Sequence, residues 1–181
     1  MIFDKELDFE NAVIQRLVDA GWVNHLTNQP EILRYKTEKD LIQNWADILY
    51  ENNNTIDRLN GKHLTSGEME QILEQVKSLR TPVNLNGFIN GKVVTIKRDN
   101  PDDTAHFGKE INLKIYDRQE IAGGQSRYQI AQQPVFPAKN KLLNSRRGDF
   151  MLLINGMPVI HVELKKSGIP VSQACYQIEK Y

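Results

Sequence analysis

A chain of 181 residues is long enough to bury one ordinary core and too short for two full domains. Its 40% apolar and 25% charged residues exclude a disordered or membrane-embedded composition. Lysine plus arginine balances aspartate plus glutamate at 23 each, so no whole-domain field advertises a nucleic-acid partner, although a neutral total can hold a basic rim around an acidic site.

No apolar run approaches the roughly 20 residues of a membrane span. The start, Met1-Ile-Phe-Asp-Lys-Glu6, lacks the basic-then-apolar order of a signal peptide. A cytoplasmic location is the expectation. The single cysteine, Cys175, excludes an internal disulfide or a cysteine metal cluster and reads as a small apolar helix residue.

In chain order, Phe9, Val13, Leu17 and Ala20 recur at helical spacing with Gly21 as a stop, predicting a first helix over 8–20. Leu41, Ile42, Trp45, Ile48 and Leu49 predict a second over 38–53, ended by Asn52-Asn-Asn54. A third starts at Thr65, whose spacing to Glu68 is that of a capping box, and runs on through Ile72, Leu73, Val76 and Leu79 until Pro82. The first half is therefore mainly helical. Lys92–Lys97, Ile111–Tyr116 and Tyr128–Gln133 are strand candidates, Arg98–Gly108 an exposed loop, and Pro134–Asn144 an irregular connection.

The strongest pattern is Asp149-Phe-Met-Leu-Leu-Ile154, Asn155-Gly-Met-Pro158, then Val159-Ile-His-Val-Glu-Leu-Lys165, a β-hairpin on an Asn-Gly turn. Phe150, Leu152 and Ile154 share a face with Ile160, Val162 and Leu164. Both faces are apolar, which places these strands inside a covered sheet. Gly168 to Ser172 forms a loop ending in an N-cap, and Gln173–Tyr181 a final helix without a C-terminal signal, so the chain is expected to be a piece of a longer protein.

Glu163 and Lys165, two apart on a strand, point the same way. A two-residue turn would set Asp149 opposite Val162, on the wrong face. The three-residue loop Asn155-Gly156-Met157, pairing Ile154 with Pro158, brings Asp149 opposite Glu163. That loop, or a bulge with the same effect on parity, is predicted. Asp149 and Glu163, with the Leu164 carbonyl, make a hard oxygen site suited to magnesium or manganese. Lys165 is placed to orient an attacking water and offset transition-state charge, the equipment of metal-dependent phosphodiester hydrolysis.

Arg147-Gly-Asp149, the apolar strand, Asn155-Gly-Met-Pro158, Val-Glu163-Leu-Lys165 and Gln177-Ile-Glu-Lys-Tyr181 resemble the N-terminal nuclease domain of the type I restriction enzyme R subunit (HsdR). The resemblance is dense over 146–181 and looser at Phe9-Glu10 through Gly21-Trp22 and at Tyr128–Gln132. Gly148 stands where that family usually has proline. The resemblance implies an α/β, restriction-endonuclease-like PD-(D/E)xK fold, a mixed β-sheet flanked by helices, with 1–181 as a single nuclease domain. It makes Asp149, Glu163 and Lys165 catalytic, with Gln177 and Tyr181 beside them contacting DNA or supporting catalysis. Glu10 becomes an additional metal or supporting residue, and Arg146 and Arg147 possible phosphate contacts. It further implies Mg2+, replaceable by Mn2+, and non-specific cleavage of double-stranded DNA within a complex containing methylation and specificity subunits, after ATP-driven translocation. ATP would be used only by motor domains absent here, since no Gly-x-x-x-x-Gly-Lys-Ser/Thr loop occurs.

Each residue also has a plainer reading. Asp149 alone fits a turn, Glu163 with Lys165 an ion pair at an exposed strand end, Glu10 a half-buried ion pair, and Arg146 and Arg147 solvated charges. His161 falls on the catalytic face and reads as packed or substrate-lining. Two rival functions stand beside the nuclease: a non-catalytic docking or DNA-positioning module, and a stand-alone repair or resolvase-type nuclease.

Overall fold

The computed structural model describes residues 5–25, 27–34, 37–81, 83–84, 88, 93–115, 126–136, 146–165 and 168–179, with backbone only at Phe136, Arg146 and Arg147. Its helices are α1 (Glu6–Asp19), α2 (Glu38–Asn53), α3 (Ser66–Lys77) and α4 (Val171–Ile178). Its strands are β1 (Ile32–Arg34), β2 (Val93–Lys97), β3 (Glu110–Lys114), β4 (Tyr128–Gln132), β5 (Val135–Phe136), β6 (Arg146–Arg147), β7 (Phe150–Ile154) and β8 (Met157–Val162). The chain divides into two compact units, Met1–Leu41 with Arg127–Tyr181, and Ile42–Ser126. No helix among the described residues is long and apolar enough to cross a membrane.

The first unit holds a four-stranded mixed sheet in the order β1-β4-β7-β8. β1 runs parallel to β4, whereas β4 with β7 and β7 with β8 are antiparallel. Ile14 of α1 packs on Ile130, Phe150 and Leu152, with Val13, Leu17, Val159 and Val162 around them. α1 ends as Gly21 predicts. Gly21 takes φ +92°, its amide donates to the Val18 carbonyl and the Trp22 amide to that of Leu17, a paired closure only a left-handed residue permits. Trp22 then donates its indole N–H to the Gln129 carbonyl (3.0 Å), fixing α1 to β4.

Glu31 collects this unit's other polar ties. Arg127 grips it with a two-pronged ion pair (2.8 and 2.7 Å), and Gln129 and Asn24 each donate one more hydrogen bond. Burial pushes its carboxyl up, but those donors and the Arg127 charge outweigh it and hold the pKa below the usual value.

Two differences from the sequence reading concern this unit. β7 is interior, but β8 lies at the edge of the described sheet, and Ile160 is 49% exposed. The last helix is N-capped by Pro170 rather than Ser172, because proline's fixed φ suits the residue entering a helix; its end beyond residue 179 is outside the described residues.

In the second unit Thr65 and Glu68 form the predicted capping box (3.1 and 2.9 Å). α3 stops at Lys77, short of Pro82. Gln71 and Gln75 reach from α3 to the backbone of β2, covering part of its outer edge at Thr95 and Lys97. The predicted loop after β2 is exposed at Pro101, Asp102, Thr104 and Phe107, but two of its residues turn inward. Arg98 is 1% exposed and Asp103 0%.

The reason is electrostatic. Arg98 pairs with Glu68 (2.8 Å) and Asp103 (3.3 Å) and donates to the Leu59 and Lys62 carbonyls (3.1 and 2.9 Å). A loop so rich in aspartate folds inward around a fully satisfied guanidinium. Asp103 also accepts from Asn60 and contacts His106. Burial works against its charge, and these bonds together with Arg98 hold its pKa below the usual value. Arg98→Leu is expected to cost about 3–5 kcal/mol in urea unfolding, because it strands buried carboxylates; a loss under about 1 kcal/mol would show the cluster to be dispensable.

Candidate active site

The hairpin turn has two residues, not three. Ile154 pairs with Met157 across Asn155 (φ 50°) and Gly156 (φ 81°), two positive φ values in a row as a type I′ turn requires. Asn155 is 3% exposed, and its side-chain oxygen accepts from the Arg127 amide (2.9 Å) while its own amide donates to the Arg127 carbonyl (2.8 Å). Such anchoring leaves no room for a longer loop. Parity is restored further along, by the alternative that the sequence reading allowed.

Leu153 pairs with Pro158 but Leu152 with Ile160, so Val159 is an extra residue, a β-bulge. Proline supplies no amide to the ladder and is tolerated in strands at edges and bulges, so Pro158 was the available signal. Beyond the bulge Phe150 pairs with Val162, and the same offset sets Asp149 against Glu163. Val159 turns into the core and Ile160 outward, exchanging the places predicted for them.

The arrangement brings four predicted residues together. Asp149, half-buried, accepts a hydrogen bond from the Leu164 amide. Burial raises its pKa, as do the nearby Glu163 and Glu6 carboxylates, against the Leu164 amide and the Lys165 charge. Lys165 Nζ lies 3.1 Å from Glu163 Oε1. Glu10, 4% exposed on α1, accepts from Gln132 Nε2 (2.8 Å). Its pKa is raised, first by burial and then by the Asp149 charge, against hydrogen bonds from Gln132 and Gln133. His161 sits on the same face; burial lowers its pKa and the Asp149 charge partly opposes that.

Gln177 lies partly buried in the last turn of α4. Tyr181 and the side chains of Arg146 and Arg147 are outside the described residues, while the backbone of these arginines forms β6 beside β5. Sequence reasoning missed Glu6, Gln132 and Gln133. A glutamine next to the apolar pair Ile130-Ala131 at the end of a strand was the signal for Gln132, since a buried amide needs a partner.

Among the described residues no three His, Cys, Asp or Glu side chains are grouped to hold a metal. The donor chemistry fits a magnesium-type ion, which takes one or two carboxylates and keeps most of its water. Asp149 feels the Glu163 and Glu6 charges and Glu10 feels that of Asp149, and both Asp149 and Glu10 are raised chiefly by burial, a condition that a divalent cation would relieve.

A family model described as type I restriction enzyme R protein N terminus matches residues 4–181. The chain is 27% identical over 181 residues to the type I restriction enzyme SsaAORF53P endonuclease subunit of Staphylococcus saprophyticus. It is 26% identical over 181 residues to the SauCOLORF180P endonuclease subunit of Staphylococcus aureus. Both similarities cover 100% of this chain and 17% of the relative. A further similarity, 26% over 160 residues, is to the EcoprrI endonuclease subunit of Escherichia coli, covering 80% of this chain and 47% of that protein.

A carboxyl whose pKa is higher folded than unfolded favours folding while protonated, so its contribution is present in acid and lost as the pH rises through the raised value. Asp149 and Glu10 both behave this way. Asp149→Asn is therefore expected to stabilise the metal-free chain by about 1 kcal/mol at neutral pH, with the gain fading as the pH falls through the raised pKa and gone below about pH 4. Thermal melts across pH check this; a destabilised variant at neutral pH would contradict it.

Proposed function

This chain belongs to the type I restriction enzyme R protein N-terminal family, and we propose that it is the divalent-cation-dependent endonuclease module of such an enzyme, cleaving double-stranded DNA without sequence choice of its own. The observation that carries this reading is the bulge at Val159, which aligns Asp149 with Glu163 next to Lys165. A structural hairpin has no need of that register.

Asp149 and Glu163 would hold the cation, with Glu10 close by. Magnesium or manganese would supply Lewis-acid polarisation of the scissile phosphate and of water. Lys165, anchored by Glu163, holds an ammonium where it can orient the attacking water and balance the charge that develops on phosphorus. Asp149 is kept in line by the Leu164 amide. Gln177 and Tyr181 are proposed to steady the DNA strand, with Arg146 and Arg147 offering phosphate contacts.

The chain spans 17% of the length of its Staphylococcus relatives, and no phosphate-binding Gly-x-x-x-x-Gly-Lys-Ser/Thr loop occurs in it. In this reading the ATP-driven motor, and the methylation and specificity subunits that select the DNA, lie outside this chain. The rival reading, a DNA-positioning module without chemistry, draws on the Lys165–Glu163 pair, which occupies one carboxylate oxygen. The retained Asp149, Glu163 and Lys165 set favours the enzyme.

In the full-length complex, Asp149→Ala and Lys165→Ala should each lower DNA cleavage by about 10²-fold or more while ATP hydrolysis continues. Cleavage that survives either substitution would refute the assignment. The 181-residue chain alone should hydrolyse no ATP; measurable turnover would contradict the division of labour.

A further inference from the structure

We propose that Gln132 and Gln133 are positioning residues that hold Glu10 against Asp149 and complete the carboxylate set of the site, an inference that rests on the nuclease reading above. Gln132 ends β4, after the fully buried Ile130 and Ala131, and is itself 9% exposed. Its amide donates to Glu10 Oε1 at 2.8 Å. Gln133, next in the chain, hydrogen-bonds the same carboxylate.

Gln133 has φ 52°, the left-handed region that non-glycine residues avoid. Strand pairing does not require this. Gln132 faces Phe150 before it and Val135 faces Arg147 after it, at one unbroken antiparallel offset, with the Gly148 amide on the Pro134 carbonyl between. The unfavourable conformation inserts no residue and changes no register. The Gln133 backbone amide continues the ladder onto the Asp149 carbonyl (2.6 Å), and the left-handed turn directly after that rung accompanies a side chain that reaches Glu10. One residue thus ties the Asp149 backbone to the Glu10 carboxylate, and strain kept at such a place marks a functional constraint.

The residue type fits the task. A buried carboxylate beside two others needs donors, yet a lysine or arginine would cancel the charge that attracts a cation. A glutamine amide donates and carries no charge. Outer partners of metal-facing groups typically matter about ten- to a hundredfold in metal affinity.

The test is Mn2+ titration of the full chain, followed by electron paramagnetic resonance of the free ion, with thermal midpoints on the same samples. Gln133→Gly should keep or raise the midpoint, because glycine adopts this φ without strain, yet weaken Mn2+ about tenfold. Gln132→Met should weaken it to a similar degree. In a Glu10→Gln background neither change should have a further effect. Unchanged Mn2+ affinity in both glutamine variants, with binding lost in Asp149→Asn, would overturn this proposal and leave the nuclease reading standing. Weakening that persists undiminished without the Glu10 carboxylate would also overturn it. A parent chain that binds no Mn2+ would remove both.

Discussion

Val159 has no partner across the hairpin of β7 and β8, and the geometry of the site depends on that one extra residue. The Asn155-Gly156 turn, with both residues at positive φ and Asn155 tied into the Arg127 backbone, forces Ile154 onto Met157. An unbroken ladder from there would send Asp149 and Glu163 to opposite faces. The bulge reverses the parity in mid-strand, so the turn keeps its preferred shape and the acids still meet. Pro158 makes the interruption cheap, since it has no amide to lose.

Once the two strands are in this register, electrostatics defines what the end of the sheet is for. Glu10 arrives from α1, Asp149 and Glu163 from the hairpin, and Lys165 is the cation held among them. Raised pKa values at Glu10 and Asp149 mean that folding gathers these charges against their own preference. The second unit offers the contrast. There, buried Glu68 and Asp103 are matched by Arg98 and nearby hydrogen bonds, and the cluster has the character of structure.

Much of the fold was legible in the sequence. The α1 stop at Gly21, the bounds of α2, the Thr65–Glu68 capping box and the hairpin all rest on local rules of period, cap and turn chemistry. What escaped was decided by partners distant in the chain. Asp103 read as part of an exposed loop because nothing local says that Arg98 will be buried among Glu68, Leu59 and Lys62. The hairpin loop was misjudged by one residue because the burial of Asn155 against Arg127 is a tertiary fact, while Pro158 inside the strand carried the true signal. Gln132 and Gln133 stood in a strand candidate without a site role, since the tie from Gln132 to Glu10 spans more than a hundred residues.

The central claim is that the bulged hairpin presents Asp149 and Glu163 to one divalent cation. Crystals of the chain soaked in Mn2+ test it most directly through anomalous scattering. The account predicts one anomalous peak within about 2.5 Å of carboxylate oxygens of both Asp149 and Glu163, with Lys165 alongside. Manganese bound elsewhere, or no peak while Lys165 stays locked on Glu163, would contradict it.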